Sequence, residues 1–108
     1  MSDIGYNVPT FTITTEVPES VIHYREGLQK FFAGMAFKLH VNAHKPPPKI
    51  EELPTLMLRL MGEVGELIEQ LMKDDRSPNA AHEAFDTANF AFLVYLALLT
   101  RDNPVKLP

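Results

Sequence analysis

The sequence contains no cysteine and no tryptophan among its 108 residues. The missing thiols exclude disulfides, thiolate zinc sites and thiol catalysis, and are compatible with a reducing compartment. Basic residues are in deficit, 10 against 14 acids, for a formal charge of −4. No basic run or basic–aromatic patch occurs, which argues against a partner made of nucleic acid. Long hydrophobic segments are lacking too. The longest apolar run, Phe90 to Leu99, is too short to span a bilayer, and Met1-Ser2-Asp3-Ile4 lacks the basic start of a secretory leader. The expectation is one soluble, cytoplasmic domain with no membrane partner. Its hydrophobic content of 45% is ordinary for a globular fold, so global disorder is not expected.

Helix-forming patterns fill most of the chain. Residues 1–18 are the exception. Tyr6 to Thr15 mixes Pro9 with Phe11 and Ile13 alternating against Thr10, Thr12 and Thr14. That pattern fits an extended arm or short edge strand, and equally a loose terminus or an arm laid on a neighbouring subunit. The domain proper is 19–108. A first helix is expected from Pro18-Glu19-Ser20, with Val21, Tyr24, Leu28, Phe31, Phe32, Met35 and Leu39 on one apolar stripe. Gly27 and Gly34 would let another backbone come close. The helix must fail before Lys45-Pro46-Pro47-Pro48, because proline lacks an amide donor and biases its predecessor away from helix.

A second helix is expected from about Glu51 or Pro54 to Lys73, with Met57, Leu60, Met61, Val64, Leu67, Ile68 and Leu71 as a broad apolar side. Arg59, Glu63, Glu66 and Gln70 form its polar strip, and Arg59 is expected to pair with Glu63, one turn away, with phosphate binding as the alternative. Ser77-Pro78 is an N-cap followed by proline at the first helical position, and starts a third helix running to about Thr100. That helix is apolar nearly all round from Phe85 to Leu99, so partners must cover it on several sides. Three helices of one small chain can hardly do so. The predicted fold is all-α: an antiparallel bundle of about three main helices, completed by oligomerisation as a homodimer or homotetramer, with an extended N-terminal arm.

Two acidic pairs stand out against this apolar background, Glu63-x-x-Glu66 and Glu83-x-x-Asp86. Residues three apart share a helix face, and the short connector makes the two helices antiparallel neighbours. Unpaired carboxylates on an apolar face are costly, so a cation is expected among them. Oxygen-only ligands favour Mg²⁺, with Mn²⁺ as a substitute, and magnesium typically shares its site with substrate phosphates. A ferritin-like di-iron centre would need Glu-x-x-His pairs, and no histidine is placed for one. His23, His40, His44 and His82 show no metal-ligand spacing among themselves.

Glu63-Val64-Gly65-Glu66-Leu67 followed by Glu83-x-x-Asp86 resembles the signature of the MazG-like, all-α nucleoside triphosphate pyrophosphohydrolases, over about residues 28–100. The resemblance implies hydrolysis between the α and β phosphates, giving a nucleoside monophosphate and pyrophosphate. It also implies Glu63, Glu66, Glu83 and Asp86 as Mg²⁺ ligands and catalytic residues. Many members carry a glutamate where this chain has Gly62, which removes one candidate base and draws attention to Glu69. Phe37 to Lys45 and Asp86 to Ala91 are similar to phage-encoded members, some of which act on dATP or dGTP; a phage protein would work in the host cytoplasm. The tryptophan common after that lysine is replaced by prolines, so Phe37, Phe85 or Phe90 is left to stack on a base. Asn89, Asn42, Lys45 and Phe90 are the candidate substrate-binding residues. The same reaction on dCTP or dUTP, and a non-catalytic helical interaction module, are the competing readings.

Overall fold

Proline placement sets the element boundaries. The computed structural model of the protein describes residues 8–74 and 76–101. It is all-helical, with no strand among the described residues. Pro18 precedes a 3-10 turn at Glu19–Tyr24, which leads into α1, Arg25–Val41. The expected first helix therefore divides in two, and Val21 marks the kink with φ −108° and ψ 20°. Residues 8–18 lie exposed without regular structure, which removes the edge strand and leaves the arm. Residues 1–7 of the expected arm and the tail beyond Arg101 lie outside the described residues.

The triple proline stops α1 as expected. Pro48 is buried, and a second 3-10 turn at Ile50–Glu52 leads into α2, Leu53–Lys73. Glu52 reaches back to accept a hydrogen bond from the Lys49 amide at 2.9 Å, satisfying a donor that the helix start would otherwise leave open. Ser77 caps α3, Pro78–Leu99, its Oγ accepting from the Asn79 amide at 3.1 Å. At the far end of α3, the Thr100 hydroxyl accepts from the Ile50 amide at 2.7 Å and donates to the Ala97 carbonyl at 2.8 Å. One side chain thus ties the end of α3 to the turn that starts α2.

α3 is the middle helix. It packs along α2 on one side and against α1 on the other, while α1 and α2 do not pack on each other. The α1–α3 contact turns on Gly34. A methyl group there would fall inside the van der Waals envelope of the Phe85 ring. The close approach expected at Gly34 is real, but a ring makes it rather than a backbone. Gly27 has nothing near it. Phe31 adds a tilted ring contact on Phe85, with centroids 5.5 Å apart.

Leu56, Ala80 and Ala97 are the buried hydrophobic residues of the described chain. On α2, Leu60 and Leu67 join Leu56 toward α3, whereas Met57, Leu58, Met61, Val64, Ile68, Leu71 and Met72 are exposed. At 100° per residue these seven form one continuous apolar face turned away from α3. Leu58 and Met61 are each 69% exposed and Met72 83%. The open side of Gly65, with nothing near it, lies on the same face. No helix among the described residues is long and apolar enough to cross a membrane.

Candidate metal centre

The buried stripe of α2 runs through Leu56, Leu60 and Leu67, and Glu63 sits at its edge, one turn from Leu60 and from Leu67. It is half-buried against α3. Across from it, Glu83 and Asp86 occupy successive turns of α3 and are half-buried as well. Carboxylate oxygens from Glu63, Glu83 and Asp86 all lie within 4.8 Å of one another. Glu66 is exposed and stands outside that trio, but it shares a carboxyl–carboxyl hydrogen bond with Glu63. Three of the four sequence-predicted acids are therefore brought to a point, and the fourth stands beside one of them.

The electrostatics of the trio follow from this crowding. The hydrogen bond with Glu66, then burial, then the charges of Glu66, Asp86 and Glu83 push the Glu63 carboxyl up to about 7. Glu83 is also raised, first by desolvation and then by the charges of Glu66 and Asp86, with Lys38 and His82 pulling the other way. One Glu83 oxygen, Oε2, is buried and has no hydrogen-bond partner. A buried carboxylate oxygen without a donor is costly, and a proton or a cation would satisfy it. The donor set is oxygen only, which fits a hard divalent ion.

Lys38 reaches the cluster from α1, its Nζ 3.3 Å from Asp86 Oδ1. Sequence reasoning did not single it out. The signal was Gly34, one turn earlier on the same face of α1, whose close approach to α3 carries Lys38 in with it. Beside this ion pair, Gly34, Phe37, Lys38, His82 and Phe85 line a cleft of about 240 Å³ between α1 and α3. The His82 and Phe85 rings meet there edge to face, 6.1 Å apart.

Arg59 does not pair with Glu63. Its guanidinium lies over the Phe90 ring, 5.0 Å from the centroid. The antiparallel register explains this, because Arg59 precedes Glu63 by one turn and Phe90 follows Asp86 by one turn, so the two face each other. Glu69 is turned away from the trio, paired at 3.5 Å with Lys73 on the surface. Phe90 is therefore placed on the α2 side of α3, while Phe37 and Phe85 line the α1 side. Asn89 is only 7% exposed, one turn beyond Asp86, and its Oδ1 has no partner. Asn42 donates to the Lys38 carbonyl at 3.3 Å as α1 ends, and Lys45 lies exposed just past it. Comparison with protein-family models, characterised proteins and solved structures yields no match.

Proposed function

We propose that the protein is a divalent-cation-dependent nucleoside triphosphate pyrophosphohydrolase, cleaving a deoxynucleotide between its α and β phosphates. The observation that carries this reading is the trio of Glu63, Glu83 and Asp86 oxygens within 4.8 Å. The resemblance to MazG-like enzymes in the same residues supplies the reaction. Glu63, Glu83 and Asp86 are the residues to hold Mg²⁺, or Mn²⁺ in its place. When bound, the ion supplies charge neutralisation on phosphate oxygens and lowers the pKa of water. Glu66, held beside Glu63 yet outside the trio, is the carboxylate left to take a proton from the attacking water. Arg59, parked over Phe90 rather than on a carboxylate, keeps its N–H donors for phosphate. The α1–α3 cleft, with Phe37, Phe85 and His82 on its walls, is the place for a base to stack.

The phage-like segments favour a purine, dGTP or dATP, with dCTP or dUTP as the alternative. Exposure supports a homo-oligomer. The exposed large apolar residues of α2 share one face, and that face is where we place the contact. That same face is the observation favouring a second reading, a non-catalytic interaction module whose acids are merely solvated.

One assay separates the two readings. The protein is incubated with Mg²⁺ and each nucleoside triphosphate in turn, and pyrophosphate is measured. Release that is lost in Glu63→Gln and Asp86→Asn supports the enzyme; no release with any nucleotide sinks it. Ranking the panel by kcat/KM tests the purine assignment, and a clear preference for dCTP or dUTP overturns that part alone.

A further inference from the structure

We propose that Lys38 is a built-in counter-ion of the carboxylate trio, which an incoming divalent cation must displace from Asp86. The inference rests on the reading of the trio as a cation site. Three ion pairs are formed among the described residues. Two join neighbours one turn apart on exposed helix surface. Lys38–Asp86 differs in kind. It links α1 to α3, and its side chains are only 24% and 28% exposed.

Its position makes it a competitor for the metal. Lys38 Nζ lies 3.3 Å from Asp86 Oδ1, the residue that completes the trio with Glu63 and Glu83. A magnesium ion bound to a carboxylate sits about 2.1 Å from the oxygen. An ammonium and a doubly charged ion on one carboxylate repel each other strongly at this range, so a bound cation weakens the hold of Lys38 on Asp86. Nor does Lys38 satisfy the trio by itself. One positive charge faces Glu63, Glu83 and Asp86, with Glu66 alongside and His82 near Glu83, and Glu83 Oε2 stays buried without a partner.

The released side chain has somewhere to go. Lys38 also lines the α1–α3 cleft, so a modest rotation carries its ammonium from Asp86 into that space. There it would meet an anionic or carbonyl-bearing ligand. Lys38 is thus a positioning residue with two stations: on Asp86 when the metal is absent, and toward the cleft when it is present.

The test measures Mn²⁺ binding directly, by the electron paramagnetic resonance signal of the free ion, with no nucleotide present. Wild type, Lys38→Gln, Lys38→Arg and the remote control Lys30→Gln are compared, and thermal unfolding in chelator is run beside them. Lys38→Gln is expected to bind Mn²⁺ roughly tenfold more tightly, as befits losing a half-buried charged contact, and to unfold at a lower temperature in chelator. Lys38→Arg keeps the charge and stays close to wild type, and Lys30→Gln changes nothing. Equal or weaker Mn²⁺ binding by Lys38→Gln, while wild type binds, overturns the proposal and leaves the metal site standing. Absence of binding in both proteins removes the metal site itself, and the proposal with it. Binding by Lys38→Gln alone is the proposal in its strongest form.

Discussion

The sharpest expectation concerns Glu63→Gln in the absence of metal. Crowding moves the Glu63 carboxyl from the ordinary 4.5 to about 7. A displacement of that size corresponds to about 3.4 kcal/mol of unfavourable energy in the ionised form. Coulomb's law gives a similar scale: two charges at the 4.8 Å outer limit of the trio repel by about 3.5 kcal/mol at an effective dielectric constant of about 20. Both are upper bounds, because the side chain is half-buried and water screens it. A net gain of about 1–2 kcal/mol for the neutral glutamine is the reasoned value. The experiment is thermal unfolding at pH 8, where Glu63 is ionised, with chelator and at fixed protein concentration. Glu63→Gln should melt roughly 4–16 °C above wild type, given about 4–8 °C per kcal/mol for a domain of this size. Repeated at pH 5.5, the gap should close, because wild-type Glu63 then carries its proton. With excess Mg²⁺ the order should narrow or invert, since only wild type keeps the full ligand set. A lower melting temperature for Glu63→Gln in chelator at pH 8 would refute the account of the trio as a strained, cation-seeking cluster.

The same shift fixes a pH dependence. A carboxyl raised in the folded chain holds an extra proton between pH 4.5 and about 7, so its contribution to stability is largest at the acid end and fades as pH rises through that window. Metal must expel that proton, so Mn²⁺ affinity should climb between pH 5 and 7.5 and then level; a flat profile contradicts it. Gly34→Ala should cost about 1–3 kcal/mol in urea unfolding by pushing the Phe85 ring, whereas Gly27→Ala, with open space, should gain about 0.5–1 kcal/mol. Leu58→Glu with Met61→Glu should lower the mass seen by light scattering, and an unchanged mass would move the contact off α2. Asn89→Leu removes a buried acceptor without a partner, so stability should hold or rise while KM for nucleotide increases; a fall in stability with unaltered KM would make Asn89 structural.

Local chemistry was legible where it acts within a few residues. Ser77-Pro78 starts α3 and the triple proline ends α1, because capping and the missing proline donor need no tertiary information. The acid pairs were equally visible, since spacing alone puts Glu83 and Asp86 on one face. What the spacing could not convey is lateral register. Whether Arg59 meets Glu63 or Phe90 depends on how α2 slides along α3, and the ring across the interface took the guanidinium. Lys38 went unnoticed for the same reason: its partner lies on another helix, and the docking of Phe85 on Gly34 decides the match. Glu69 drew notice only as a spare candidate base, and its surface pairing with Lys73 shows once the faces of α2 are packed.

The outward face of α2 carries a chemical vulnerability of its own. Met57, Met61 and Met72 lie exposed on it, three of the chain's five methionines. A thioether in that position is open to peroxide, and the sulfoxide product is polar and chiral. Oxidation would turn a greasy seam into one studded with strong acceptors, lowering its appetite for a neighbour. If a second copy covers the seam, these three sulfurs are shielded, and their peroxide sensitivity becomes a sensor of whether the chain is alone or in company.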